Sequence, residues 1–130
     1  METWIDAQAK ARRRFAVLGD FNRDLLSEEA RRQTLRVTDS VWAEIDDADP
    51  READLHNAAS GEAFRNCVPG QSYRGYIDNI VLSKTLAVET VPHSFGRVTY
   101  SAADARHARL SDHCPVLVRL GIGQNGVPAN

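Results

Sequence analysis

The run YIDNIVL, residues 76 to 82, constrains this chain more than any other stretch. It is too short for a core helix and apolar on both alternating faces except at Asp78 and Asn79, so it predicts a buried strand. A carboxylate in such a strand is costly unless it is paired, so the fold has to bring a partner to Asp78. Residues 15 to 18, FAVL, predict a second buried strand, which ends on Gly19 and is followed by Asp20 and Asn22. Pro115 to Leu120 predicts a third. In open α/β sheets, ligands bind beyond the carboxyl ends of the strands. Asp20 and Asn22, on alternate positions, are therefore expected to face one common site.

The rest of the chain supplies helices and loops. Residues 2 to 12 predict a helix with Trp4 and Ile5 toward one side and Arg12, Arg13 and Arg14 at its C-terminal dipole. Asp39 is expected to cap a second helix that carries Val41, Trp42 and Ile45 on one face and stops at DDADP. Residues 50 to 75 read as loop, and 88 to 100 as a weaker extended pair around Pro92. The glycine-rich tail, 121 to 130, reads as flexible. A chain of 130 residues suffices for one core, so residues 1 to 120 are expected to form one domain.

A net charge of -2 gives no global attraction to polyanions, which leaves any nucleic-acid contact to local arginines at 12 to 14 and 31 to 32. The opening METWIDAQAK lacks the apolar core of a signal peptide, and no run approaches membrane-spanning length. Cys67 and Cys114 make one possible pair without a disulfide framework, so their redox state stays open. Strand alternation turns Cys114 away from His113 and predicts a core thiol. His56, His93 and His107 read as structural.

Three polar insertions lie in or beside the apolar runs: GDFN at 19 to 22, YIDNIVL at 76 to 82, and LSDHCPV at 110 to 116. With these motifs in this order, the chain resembles the endonuclease/exonuclease/phosphatase superfamily, metal-dependent phosphodiesterases that include DNase I-like and exonuclease III-like enzymes. The resemblance runs from the first helix to Leu120. It implies an α/β (α+β) fold: the C-terminal half of a four-layer αββα sandwich, one mixed, mainly antiparallel sheet with helices on one face.

The chemistry of that superfamily accounts for these residue types. Hydrolysis of a phosphodiester needs water oriented in line with a phosphorus ringed by negative oxygens, and needs the developing charge neutralised. By resemblance, Asp20 positions or deprotonates the water or exchanges a proton with the leaving group, and Asn22 donates its amide to a phosphate oxygen. Asp112, with Asp20, is implied as an oxygen ligand for Mg²⁺, or for Mn²⁺ or Ca²⁺ in its place. His113 faces the scissile phosphate, and Asp78 fixes its tautomer and favours its charged form. Asp78 and His113 are thus expected within about 2.6 to 3.2 Å. Arg74, just before the Asp78 strand, is expected near the substrate. Ser111, Asp112 and His113 are adjacent and cannot converge as a hydrolase triad.

DNA or RNA is the implied substrate, with nuclease the leading activity; a phospholipid or inositol phosphate phosphodiesterase is an alternative within the class. The resemblance places a glutamate metal ligand, an asparagine and another histidine in a first half to which nothing here corresponds. The expectation is that the chain alone is inactive, a non-catalytic fragment being the alternative. Helices are expected to cover only one sheet face, leaving the other to a first-half partner or to self-association.

Overall fold

The computed structural model describes residues 1–31, 34, 39–51, 53–72, 74–107 and 110–121. In chain order the elements are helix α1 (Glu2–Lys10), strand β1 (Ala16–Asp20), helices α2 (Leu25–Ala30) and α3 (Val41–Ile45), strands β2 (Leu55–Asn57) and β3 (Asp78–Ser83), helix α4 (Lys84–Ala87), strand β4 (Gly96–Arg97), helix α5 (Ala102–His107) and strand β5 (Val116–Leu117). The protein is mixed helix and strand, with two small antiparallel sheets. One has the order β1-β3-β2, and β4 pairs with β5 in the other.

This corrects the expectation of a single sheet. Residues 115 to 120 do not extend the β3 ladder. They run beside the 88 to 100 segment, where the Val98 N–H donates to the Pro115 carbonyl (2.9 Å), the Val91 N–H to the Arg119 carbonyl (2.9 Å), and Thr90 bridges Leu120. The reason lies in their side chains: Val116, Val118 and Leu120 lie against Ile80 and Leu82, so the run covers a face of β3 instead of joining its edge.

The pleat of β3 sends alternate residues into two cores. Val81 packs with Ile5 of α1, Leu25 of α2 and Trp42 of α3. Ile80 and Leu82 pack with Ala58, Leu86 and the 95 to 120 segment. All six residues of β3 are buried, so helices on one face are not its only cover, contrary to the expectation of a bare second face. That cover stops short of β1. Leu18 stands opposite Ile80 yet is 67% exposed, and β1 is an open-faced edge strand, not the doubly buried one its apolar run predicts.

Local signals set the helix ends. α1 stops at Lys10, short of the expected residue 12, and Arg12 turns the chain with a φ of 50°. The cap of α3 is Ser40 and not Asp39: the Ser40 Oγ accepts from the Ala43 N–H at 3.0 Å. The buried Glu28 carboxylate of α2 accepts from the Trp42 N–H (3.0 Å) and the Ser40 hydroxyl (3.2 Å), which ties two helices together. The 50 to 75 stretch, expected as loop, contains β2, and Cys67 and Cys114 form a disulfide instead of leaving a free core thiol. His56 is an exposed residue of β2, and His93 is exposed with its Nδ1 3.3 Å from the Glu62 Oε1. Arg32, the His107 side chain and the tail from residue 122 lie outside the described residues. Among the described residues, no helix is long and apolar enough to cross a membrane.

Candidate active site at the end of the central strand pair

The register of β1 on β3 places Asp20 directly opposite Asp78. Like charges facing each other across a strand pair are unfavourable, so the fold has to bring compensating cations to this point. Two arrive. The His113 Nδ1 lies 2.9 Å from the Asp78 Oδ1, and an Arg97 NH2 donates to the Asp78 Oδ2 at 3.3 Å. The His113 Nε2 then lies 3.9 Å from the Asp20 Oδ2 and 4.0 Å from the Asp112 Oδ1. Four of the six expected residues, Asp20, Asp78, Asp112 and His113, therefore meet at one imidazole, and the Asp78 to His113 distance falls inside the expected range.

Asn22 arrives differently. β1 ends at Asp20, and Asn22 follows it in the left-handed region with a φ of 51°. Its N–H donates to the Asp20 Oδ1 at 2.7 Å, so a turn, not a continued strand pleat, sets Asn22 relative to Asp20. Gly19 has a φ of 150°, which L side chains rarely adopt, although nothing near it would obstruct a Cβ. Backbone conformation alone thus accounts for the glycine, and asparagine is among the residues that best tolerate the left-handed region. Asp20 does two things: one oxygen holds the turn, and the other faces His113.

The loop carrying Asp112 and His113 is tied at several points. The Ser111 Oγ accepts from the His113 N–H at 3.0 Å, and the Gln71 Nε2 donates to the Asp112 carbonyl at 3.3 Å. The Cys67–Cys114 disulfide anchors the residue next to His113. On the other side of Asp78, the Arg97 side chain is only 3% exposed. Its guanidinium carbon sits 5.6 Å from the Tyr76 ring centre and 6.0 Å from that of Phe64, and its NH1 donates to the Arg65 carbonyl at 3.2 Å. Arg74, the arginine expected at the site, is exposed; the guanidinium on Asp78 belongs to Arg97. Asn79 points to the opposite face, where its amide donates to the Tyr76 carbonyl (3.1 Å) and accepts from the Asn57 Nδ2 (2.9 Å).

Sequence reading misses Arg97, Ser111 and the disulfide. Arg97 sits in a weakly patterned stretch, and only its tertiary position beside two aromatic rings marks it. Ser111 lies in the SDH motif and was legible as a local cap of the His113 N–H, the pattern that serine favours in turns.

Electrostatics follow the geometry. The hydrogen bond to Asp78, and after it the Asp78 charge, raises the His113 pKa above its ordinary value. Partial burial works against this, and the Asp20 and Asp112 charges add smaller upward contributions. Because a carboxylate only accepts, Nδ1 carries the proton toward Asp78 and Nε2 is the atom presented outward. Asp20, Asp78 and His113 bring one ligand atom each within 4.8 Å of one another. Beside them lies an open cavity of about 260 Å³ lined in part by Leu18, Asp20, Asp78, Ile80 and Pro115. Comparisons with protein-family models, with curated proteins and with solved structures return no match to this chain.

Proposed function

We propose that this site belongs to a divalent-metal-dependent phosphodiesterase of nuclease type, and that the chain forms the C-terminal half of a four-layer αββα sandwich. The observation that supports the reading is the order of contacts around His113: a buried, arginine-anchored Asp78 on Nδ1, with Asp20 and Asp112 flanking Nε2. A histidine held in this way offers a charged N–H donor at a fixed point, which suits a phosphate oxygen. Asp20 is the group placed to orient water and to exchange a proton with it or with the leaving oxygen. Cleavage breaks one P–O ester bond and yields a phosphomonoester and an alcohol, with the proton of the attacking water passing finally to the leaving oxygen.

The donor set also fits an Mg²⁺ ion. Mg²⁺ takes oxygen ligands, typically one or two carboxylates with several waters, and Asp20 and Asp112 are both exposed. Asp78 is engaged by His113 and Arg97, and the imidazole is the softer ligand, so Asp20 and Asp112 are the residues to hold the ion. When bound, the ion supplies positive charge to the phosphate as negative charge develops there.

One test uses the chain as it stands. Addition of Mn²⁺ is expected to broaden the His113 ring resonances in NMR spectra, and Asp20→Asn with Asp112→Asn to abolish the broadening. A second test measures Mg²⁺-dependent cleavage of DNA, RNA and a small bis-ester by the chain carried together with the first half of the sandwich. His113→Ala and Asp20→Ala are each expected to lower the rate by about two orders of magnitude or more. A wild-type rate in His113→Ala counts against the proposal.

A further inference from the structure

The far end of β3 carries a second, oppositely charged feature. A cavity of about 240 Å³ is lined there by Arg12, Arg13, Arg51, Lys84, Ser83 and Thr85. Ser83 and Asp78 are the two ends of β3, so the cavity lies about 17 Å from the Asp20 and His113 site at about 3.4 Å per strand residue. In a chain whose net charge is -2, three arginines and a lysine around one opening are a strong local excess of positive charge.

Most of that charge is not neutralised within the fold. Among the described residues, Lys84 pairs with Asp54 at 2.6 Å, whereas Arg12, Arg13 and Arg51 form no ion pair. The Arg13 guanidinium donates to the neutral Gln8 amide oxygen at 3.1 Å. The two hydroxyls are already committed: the Ser83 Oγ accepts from the Phe15 N–H (3.1 Å) and bonds the Thr85 Oγ1 (3.1 Å), which donates to the Arg13 carbonyl (3.2 Å). They fix the wall of the cavity and hold the Arg13 backbone beside it, leaving anion contact to the cationic side chains. Arg12 is also in the left-handed region, with a φ of 50°, at a helix end where glycine is the usual residue.

We propose that this cavity is a phosphate-binding site that takes a dianionic phosphoryl group, free or as a phosphomonoester, through Arg12, Arg13 and Arg51. Guanidinium forks match oxyanions two oxygens at a time, which disfavours a halide, and three guanidiniums suit a dianion with three shared oxygens better than a carboxylate with one charge and two. The cavity volume is several times the roughly 30 Å³ share of one water molecule, so a phosphate fits together with atoms esterified to it. The inference does not depend on the function proposed for the Asp20 and His113 site.

The test is calorimetric titration of the whole chain with inorganic phosphate and with a nucleoside 5′-monophosphate, in a chelating buffer free of divalent ions. Saturable binding of at least one of the two is expected, weakening as salt is raised. Arg12→Gly combined with Arg51→Gln is expected to weaken it at least tenfold. Arg12→Gly alone removes one guanidinium while suiting the backbone, so it should lower affinity and leave the melting temperature unchanged or higher. Tighter binding of the nucleotide assigns the site to a phosphomonoester, and equal binding assigns it to free phosphate. His113→Ala should retain the binding. Absence of saturable binding, binding undiminished in the double variant, or binding lost in His113→Ala overturns the proposal.

Discussion

Asp78 shows how one buried carboxylate organises its surroundings. It faces Asp20 across the ladder, and its two oxygens are taken by His113 and Arg97. Because the Asp78 interaction raises the His113 pKa, an NMR titration is expected to place the ring above its ordinary value near 6.5, and Asp78→Asn to bring it back down. The sign for stability follows. With the folded pKa above the unfolded one, stabilisation by the charged ring is fully present below pH about 6.5 and is lost as pH rises through the folded value. A His113 that titrates at or below its ordinary value contradicts the contact.

Arg97 answers the same carboxylate from a nearly dry position, so Arg97→Met strips a buried charge of its partner. The expected loss is about 3 kcal/mol in chemical denaturation, and a loss under about 1 kcal/mol shows that Asp78 has found another partner. Of these residues, Asp20, Asp78, Asp112 and His113 were legible because each sits in a short motif that interrupts or follows an apolar run. Arg97 was not, because its place beside Phe64 and Tyr76 is a long-range fact that no local pattern encodes.

At the scale of elements, length decides what can be read. The nine residues of α1 span more than two helical turns and the five and six of β1 and β3 more than two strand periods, whereas α2 and α4, with six and four residues, span less than two helical turns and β2 has only three residues. A clue to α5 was present in Ser101 and Asp104. The Ser101 Oγ accepts from the Asp104 N–H at 3.1 Å, and the Asp104 carboxylate accepts from the Ser101 N–H at 3.3 Å. The disulfide could not be read, since two cysteines admit one pairing but carry no record of oxidation.

Its closure joins residues 47 apart, for which chain entropy gives about 4 kcal/mol of stabilisation as an upper estimate. Replacing both cysteines with serine is expected to lower stability by about 2 to 4 kcal/mol and to speed amide exchange across residues 110 to 115. Unchanged exchange in that loop would show that Ser111 and Gln71 suffice to hold it.

Across the whole molecule, β3 is the boundary between two cores, and the second core covers β3 without reaching β1. Truncation in the covered part should therefore cost much more than in the open part. Leu82→Ala is expected to destabilise by about 3 kcal/mol and Leu18→Ala by about 0.5 kcal/mol or less. Similar losses at both positions mean that Leu18 is covered in solution, which a concentration-dependent sedimentation profile then reports. The sequence overstated the burial of β1 because an apolar run records which side chains avoid water, not how far the opposing layer extends.

The pairing of Asp20 with Asp78 rests on a ladder of five residue pairs, from Ala16 with Leu82 onward. Side-chain direction alternates along each strand, so removing or inserting one residue within β1 turns Asp20 to the other face and sets an apolar neighbour beside Asp78. The arrangement can therefore absorb many exchanges of side chain but not a change of count. In descendants of this chain, the spacing between Phe15 and Asp20 should persist even where the letters between them drift.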